Sequence, residues 1–179
     1  MKIKSIKKIL MDKGKRNIAI IGHMGSGKSS FGKKLSNYFS IQHFDTDRQI
    51  IEDQQSSIKS IFQDKGEEYF RKIESKIIKK IITKKNIIIS LGGGSLINKE
   101  NRKLINDFSY SIFLQVDLNI LYKRLQYSRN RPLIINKDLN KVLKDLDKNR
   151  KEYYLKADLI IKNNYSIDNC FTNFLKIFD

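Results

Sequence analysis

The stretch from Asn17 to Ser30 holds residues whose types and spacing suit phosphate chemistry. It reads NIAIIGHMGSGKSS and contains the pattern G-x-x-x-x-G-K-S in full, from Gly22 to Ser29. In this pattern the glycines let successive backbone N–H groups turn towards an anion, and the lysine adds a mobile positive charge. The serine hydroxyl is placed to ligate Mg²⁺. The segment therefore predicts a nucleotide phosphate site with Lys28 at its centre.

Two acids, Asp45 and Asp47, follow a short segment, residues 41–44, that predicts a strand. Two acids at the end of such a segment can each serve a different neighbour. In a parallel α/β sheet, ligands bind at the carboxyl ends of the strands. We therefore expect one acid beside a metal ion and the other beside an acceptor. The ordinary alternative is an acidic turn that caps the next helix.

Arg71 and Glu74 lie three residues apart in a segment, residues 56–85, that predicts a helix broken at Gly66. Both lie off the apolar stripe of that helix. Such a pair is usually a surface ion pair worth about 0.3 to 0.5 kcal/mol. The functional alternative is that Glu74 holds the Arg71 guanidinium for an anionic substrate.

Three consecutive glycines, Gly92 to Gly94, follow an apolar segment, residues 86–90, that predicts a buried strand. Consecutive glycines are costly in conformational entropy. They indicate a place where a ligand approaches the backbone closely, with a flexible loop as the alternative.

A basic segment runs from Arg124 to Leu133 and contains Pro132, the only proline of the chain. Because a residue before proline disfavours the helical conformation, Pro132 helps to make this segment a loop at Arg131. A basic loop with a fixed bend suits a lid that closes over phosphates. The alternative is an exposed basic connection.

The apolar pattern predicts the elements that must position these residues. Strands are expected at residues 17–21, 41–44, 86–90, 110–116 and 158–161, and helices from about 29, over 56–85, from 117, over about 138–154 and over 167–178. Strands that alternate with helices predict an α/β fold with a parallel sheet. The length of 179 residues fits one domain over residues 17–179, with a basic extension over residues 1–16.

The formal net charge of +17 leaves several kinds of partner open. Such a balance suits nucleic acid, an anionic membrane surface or small anions, although Lys scattered over helix faces is typical of solvated surface. The only cysteine is Cys170, so an intrachain disulfide cannot form and a reducing compartment, the cytoplasm, is expected. No apolar run approaches the roughly 18 residues of a membrane helix. Residues 1–16 also lack the apolar core of a signal peptide.

Together these motifs resemble the shikimate kinase family, within the P-loop nucleoside-monophosphate-kinase-like fold. The resemblance spans Asn17 to about Tyr154. It depends on GxxGxGKSS, FDTD, the GExxFRxxE helix, the LGGGS turn, the Arg131-Pro132-Leu133 lid and Arg150 before two tyrosines. It implies a three-layer α/β/α fold with a five-stranded parallel sheet of order 2-3-1-4-5 and a short lid at about residues 124–137. It also implies ATP-dependent phosphorylation of the 3-hydroxyl of shikimate, a step of chorismate and aromatic amino-acid biosynthesis.

The resemblance also assigns a role to each matching residue. ATP would be bound by Gly25, Ser26, Gly27, Lys28, Ser29, Ser30, Arg124 and Arg131, and shikimate by Asp47, Arg71, Gly92, Gly93, Gly94 and Arg150. The catalytic residues would be Lys28, Asp47 and Arg131. Ser29 would ligate Mg²⁺, and Asp45 would reach the ion through water. Many members have a further arginine beside the adenine, whereas no arginine follows Arg150 here.

Two alternatives remain open from the sequence. Another small-molecule P-loop kinase, such as a gluconate kinase, would share the loop and differ at the acceptor site, but the GExxFRxxE helix and the GGGS turn argue against it. A basic nucleic-acid-binding module would bind with a steep salt dependence and transfer no phosphate. We expect instead a cytoplasmic monomer that binds ATP and shikimate with Mg²⁺, and neither nucleic acid nor a membrane.

Overall fold

The computed structural model describes residues 13–128, 132–135 and 137–178. Its strands are β1 (Asn17–Ile21), β2 (Gln42–Asp45), β3 (Ile87–Ser90), β4 (Ser109–Gln115) and β5 (Leu159–Lys162). Its helices are α1 (Lys28–Phe39), α2 (Thr46–Gln54), α3 (Ile58–Ile82), α4 (Lys99–Phe108), α5 (Leu118–Leu125), α6 (Leu139–Tyr154) and α7 (Ile167–Phe178), with a 3₁₀ turn at Ser95–Ile97. No helix in these ranges is long and apolar enough to cross a lipid bilayer.

The strands form one sheet in the order β2-β3-β1-β4-β5, and every pair is parallel. In its centre, Ala19 of β1 lies opposite Ile89 of β3 and Ser111 of β4. This topology confirms the expected fold. Because the strands run in one direction, the segments that follow β1, β2 and β3 meet at one edge of the sheet. The phosphate loop, the two acids and the three glycines are those segments.

The two faces of the sheet carry separate apolar clusters, because successive residues of a strand face opposite sides. Ile18 and Ile20 pack in a cluster with α1 and α7, whose members include Phe31, Leu35, Phe171 and Phe174. Ala19 and Ile21 pack in a cluster with α3 and α4, whose members include Ile73, Ile77, Ile81 and Ile105. Helices therefore cover both faces and hold the edge of the sheet in place.

Some elements differ from the sequence-based expectation. The helices α2 and α4 are not predicted from the sequence. In α2 the buried apolar residue is Ile50, whereas Leu104, Ile105 and Phe108 of α4 all pack against the core. The strand expected at residues 41–44 lies one residue later. The long helix does break at Gly66, where φ is 78° and ψ is 172°.

The N-terminal extension lies mostly outside the described residues. At its end, the Arg16 guanidinium lies 3.9 Å from the centre of the Phe108 ring, and the backbone N–H of Arg16 donates to the carbonyl of Phe108 at 3.1 Å. The carbonyl of Arg16 in turn accepts from Asn86 at 2.9 Å. The chain is therefore anchored to the sheet one residue before β1 begins.

Candidate active site

The phosphate loop joins the end of β1 to the start of α1. Gly27, at the N-cap of α1, has φ 90°, in the left-handed region. Glycine adopts this conformation without strain, and a Cβ at this position would also lie 2.7 Å from Cδ1 of Ile167. The side-chain amide of Asn163, just after β5, donates to the carbonyl of Ser26 at 2.8 Å. The loop is therefore held by its own backbone geometry and by the residues that follow β5.

Lys28 lies inside the curve of this loop. Its Nζ donates to the carbonyl oxygens of Gly22 at 2.9 Å and His23 at 2.7 Å, and the residue is only 8 % exposed. The groove along the loop is lined by Gly25, Gly27, Lys28, Ser29 and Ser30, whereas Ser26 is buried. Because α1 starts here, its unpaired N–H groups and positive dipole end face the groove. This arrangement suits a chain of phosphates.

Ser29 and Asp45 bring two oxygen atoms together beside the loop. The Ser29 hydroxyl donates to Oδ2 of Asp45. The other carboxylate oxygen, Oδ1, accepts from the backbone N–H of Asp47 at 3.0 Å and of Arg48 at 3.2 Å, which caps α2. Asp45 thus caps a helix and also faces the phosphate loop. Since Mg²⁺ prefers oxygen ligands and retains several waters, this hydroxyl and carboxylate fit the ion.

Asp47 lies in the first turn of α2, where two spaces meet. It lines the groove that contains Lys28 and Ser29, and it also lines the cavity that contains Arg71 and Arg150. A carboxylate at this junction can contact both an acceptor in the cavity and a phosphate in the groove.

Arg71 is held by two glutamates of its own helix, α3. Its Nη1 donates to Oε2 of Glu74 at 2.7 Å, and its Nη2 donates to Oε1 of Glu67 at 2.9 Å. Burial by itself lowers the pKa of Arg71, but the charges and hydrogen bonds of Glu74 and Glu67 outweigh it, so the pKa is raised. The guanidinium is therefore charged and fixed in direction.

Glu74 is enclosed, although the sequence pattern places it off the apolar stripe. It is 1 % exposed, and its Oε1 accepts from the Ser95 hydroxyl at 2.6 Å. Ser95 is itself held by the side-chain amide of Asn101, which donates to its carbonyl at 3.0 Å. The structure thus favours the functional alternative for the Arg71–Glu74 pair over that of a surface ion pair.

Arg150 reaches the same cavity from α6. The residue is 3 % exposed, and its Nη1 donates to the carbonyl of Gly93 at 3.0 Å, an oxygen that also accepts from the Tyr154 hydroxyl. Burial lowers the pKa of Arg150 and raises that of Tyr154 to about 12. The Nε of Arg150 is buried and has no hydrogen-bond partner among the described residues. An anion in this cavity would stabilise the charged guanidinium.

The three glycines make room for side chains of the site. A Cβ on Gly92 would lie 2.5 Å from Oε1 of Glu74 and 2.9 Å from Oδ1 of Asp47. A Cβ on Gly94 would overlap the Arg71 guanidinium. The sequence predicts that a ligand approaches this backbone. In the structure, charged side chains of the protein itself lie close to it.

The cavity between these groups has mostly apolar walls. It is lined by Met24, Asp47, Ile58, Phe62, Phe70, Arg71, Glu74, Gly92, Gly93, Gly94, Pro132, Leu133 and Arg150. An apolar pocket with a few convergent polar groups is typical of a small-molecule site. The two guanidinium groups and the carboxylate of Asp47 suit a small ring that carries one anionic group and hydroxyls.

Arg131, expected to contact the transferring phosphoryl group, lies outside the described residues. Its neighbours Pro132 and Leu133 line the cavity, so this part of the predicted lid lies beside the acceptor side. Arg124, expected near the adenine, lines the groove along the phosphate loop and donates to the carbonyl of Asn163 at 2.8 Å.

Sequence reasoning missed several residues that support the site. His23, in the phosphate loop, is 4 % exposed, and its Nε2 lies 3.0 Å from Oδ1 of Asp147. The contacts of Tyr154 and Asn163 are equally absent from the expectation. The tyrosine pair after Arg150 is visible in the sequence. However, no spacing rule predicts that Tyr154 contacts Gly93, 61 positions away, or that His23 contacts Asp147, 124 positions away.

Comparison with known proteins gives the same family at the level of sequence. A family model described as shikimate kinase matches residues 24–178. A shikimate kinase of Xylella fastidiosa (strain 9a5c) is 34% identical to this chain over 157 residues, which cover 87% of this chain and 87% of that protein.

Solved structures agree with the sequence comparison. A shikimate kinase from Acinetobacter baumannii, in complex with shikimate, has a TM-score of 0.86 at 25% identity and covers 95% of this chain and 96% of its own. A shikimate kinase from Aquifex aeolicus vf5 has a TM-score of 0.79 at 32% identity, with 89% of this chain and 94% of its own covered.

Proposed function

Because the chain belongs to the shikimate kinase family, we propose that its residues transfer the γ-phosphoryl group of ATP to the 3-hydroxyl of shikimate. The products are shikimate 3-phosphate and ADP, and the reaction is a step of chorismate and aromatic amino-acid biosynthesis. The observation that carries the proposal is the convergence of Asp47, Arg71 and Arg150 in one cavity beside the phosphate loop. A cavity with these groups fits a ring that carries a carboxylate and hydroxyls.

We assign the carboxylate of shikimate to Arg71 and Arg150. The guanidinium of Arg71 is fixed by Glu74 and Glu67, so it is oriented before the substrate binds. Arg150 lines the same cavity, and its guanidinium is directed by the carbonyl of Gly93. A planar guanidinium can donate two parallel hydrogen bonds to a carboxylate, which gives direction as well as charge. The turn at Gly92–Gly94 then forms the wall beside the ring.

Asp47 acts on the acceptor hydroxyl. Its carboxylate accepts a hydrogen bond from the 3-hydroxyl and takes the proton, or orients the hydroxyl, as the oxygen attacks the γ-phosphorus. A general base must lie within hydrogen-bond reach of the proton it removes. The position of Asp47 between cavity and groove supports this role.

The groove binds the phosphates of ATP and supplies positive charge. The transition state of phosphoryl transfer spreads negative charge over its oxygens, so positioning and positive charge account for most of the catalysis. The backbone of residues 25–30 binds the phosphates, with Lys28 as the mobile charge and Arg124 at the nucleotide side. Arg131, outside the described residues, adds a positive charge from the lid.

Mg²⁺ would be held by the Ser29 hydroxyl and, through water, by Asp45. When bound it neutralises phosphate charge. Among the described residues, no group of three or more His, Cys, Asp or Glu could hold a metal. Kinase Mg²⁺ is commonly bound by few protein groups together with water and substrate phosphates, so a hydroxyl and one carboxylate are an adequate donor set.

We further propose that residues 17–179 act as one domain, in a cytoplasmic monomer that binds small anions and not nucleic acid. The small cavity that contains Arg71 and Arg150 supports a small-molecule acceptor. Sedimentation velocity should show one monomeric species. Salt-sensitive binding of duplex DNA at micromolar protein would contradict this part of the proposal.

An assay of ADP release with shikimate, quinate, gluconate and nucleoside monophosphates tests the function. We expect ADP release that depends on both Mg²⁺ and shikimate. Efficient turnover of gluconate or of a nucleoside monophosphate, without turnover of shikimate, would contradict it.

A further inference from the structure

His23 in the phosphate loop and Asp147 in α6 make a contact that the proposed reaction does not use. The Nε2 of His23 lies 3.0 Å from Oδ1 of Asp147, and the two residues are 124 positions apart. The His23 side chain is buried, whereas the Asp147 side chain is 26% exposed. The contact therefore joins two distant segments of the chain at a partly buried position.

The contact is a hydrogen bond from a neutral imidazole to a carboxylate. Burial lowers the pKa of His23, and the positive charges of Arg150 and Lys28 lower it as well, whereas Asp147 opposes them. The neutral ring therefore donates through Nε2–H to the carboxylate. The edge-on Tyr154 ring, whose centre lies 4.9 Å from that of His23, limits rotation of the imidazole.

The same helix face carries the proposed grip on the shikimate carboxylate. Asp147 precedes Arg150 by three residues on α6, so their side chains point to one side. Arg150 and Tyr154 both bind the carbonyl of Gly93. Gly93 in turn lies against the phosphate loop, because a Cβ on it would be 3.1 Å from the backbone nitrogen of Met24. The contacts therefore form a closed circuit: His23 of the loop contacts α6, Arg150 of α6 contacts Gly93, and Gly93 lies against the loop.

The His23–Asp147 bond gives this circuit a directional contact. Met24 of the loop and Leu143 of α6 belong to one apolar cluster, and apolar contacts allow neighbouring groups to slide. A hydrogen bond with a short, linear optimum instead fixes the distance between the loop and the helix. Because Arg150 lies three residues after Asp147 on α6, the bond also constrains the distance between the phosphate loop and Arg150.

We propose that His23 and Asp147 are positioning residues that couple the phosphate loop to Arg150 and so set the position of the shikimate carboxylate. This inference depends on the proposed function. It predicts a crossed effect, in which a substitution in the phosphate loop changes the binding of the acceptor. A role in folding alone would change stability without a selective effect on one substrate.

Steady-state kinetics of four variants test the coupling. His23→Leu removes the donor but keeps apolar bulk, and Asp147→Ala removes the acceptor. Each should raise the KM for shikimate about fivefold, the scale of one hydrogen bond, with the KM for ATP changed less than about twofold. His23→Gln, whose amide N–H can take the place of Nε2–H, should return the shikimate KM to within about twofold of wild type. Asp145→Ala, at an exposed acid of the same helix, is the control and should change neither KM.

The double variant His23→Leu/Asp147→Ala shows whether the two residues act through one shared bond or independently. If the two residues act through one bond, its shikimate KM should stay within about twofold of the weaker-binding single variant. Independent effects would multiply to about 25-fold, because uncoupled changes are additive in free energy.

Wild-type turnover separates the two levels of inference. A wild-type enzyme without shikimate-dependent ADP release would contradict the proposed function. If the wild type is active but both single variants keep a shikimate KM within about twofold of the wild-type value, the positioning role alone is wrong. Failure of His23→Gln to restore shikimate binding would also contradict that role. If His23→Leu does not fold, Asp147→Ala measured against Asp145→Ala decides the question by the same threshold.

Discussion

The phosphate loop and the acceptor cavity are both proposed to bind anions, but they are built in different ways. The loop is one continuous segment, residues 22–30, and its ligand groups are mainly backbone N–H groups beside one lysine. The cavity instead takes Asp47 from α2, Arg71 from α3 and Arg150 from α6. Its charged groups are side chains from distant segments. Arg71 is held by the side chains of Glu74 and Glu67, and Arg150 is held by the carbonyl of Gly93.

This difference predicts how the two regions respond to substitution. Backbone donors of the loop keep their direction when a neighbouring side chain changes. A buried charge whose partner is removed is costly, so the arginines of the cavity depend on their supporting residues. We therefore expect substitutions of the residues that hold these arginines to weaken the binding of shikimate more than the binding of ATP.

The largest expected effect lies at Asp47, where the two regions meet. Asp47→Asn removes the proton acceptor and should lower kcat by about 1000-fold, within the range for a general base. Binding of ATP should be largely kept, as isothermal titration calorimetry can show. Asp53→Asn, at an exposed acid of the same helix, is the control and should leave kcat unchanged. If Asp47→Asn changed only the Mg²⁺ requirement, the roles assigned to Asp47 and Asp45 would be wrong.

A smaller but still large effect is expected for the loop lysine. Lys28→Ala should give a folded protein whose kcat falls by at least about 100-fold, the scale seen when a preorganised charge-stabilising group is removed. Lys33→Ala, at an exposed lysine of the same helix, serves as the matched control. Transfer rates within a few-fold of wild type for Lys28→Ala would contradict the phosphate role of the loop.

The smallest of these effects tests the support of the cavity. Glu74→Gln keeps the shape of the side chain but leaves Arg71 with one carboxylate, that of Glu67, in place of two. The KM for shikimate should therefore rise about fivefold while the KM for ATP stays the same. Glu68→Gln is the control, because Glu68 lies on the same helix but forms an exposed ion pair with Lys72. Equal kinetics for the two variants would show that Glu74 does not orient Arg71.

The sequence predicted the region that is built locally. The motif from Gly22 to Ser29 places strand, loop and helix within one short segment, and the structure confirms that order. The alternation of strands and helices predicted the α/β class, and the family resemblance added the strand order, which is also confirmed.

What the sequence did not predict depends on long-range packing. The short helix α2 buries one apolar residue, Ile50, and gives no periodic signal. The helix α4 has an apolar face at Leu104, Ile105 and Phe108, which was not predicted from the sequence. The burial of Glu74 arises because the turn before Ser95 covers it, and the helix pattern alone does not show that cover. The bond between His23 and Asp147 joins segments that only the folded sheet brings together.

The most direct test of the acceptor site compares the kinetics of wild type and Arg150→Lys, with shikimate and with its methyl ester as substrates. The substitution keeps the positive charge but loses the paired donors that match a carboxylate. We expect the KM for shikimate to rise by at least about tenfold and the KM for ATP to change little, since a charge-assisted hydrogen bond is worth about 1.5 to 3 kcal/mol. The methyl ester of shikimate, which lacks the carboxylate charge, should be a poor substrate of both enzymes and should not distinguish them. An unchanged KM for shikimate, or a loss confined to ATP, would contradict the account of the acceptor site.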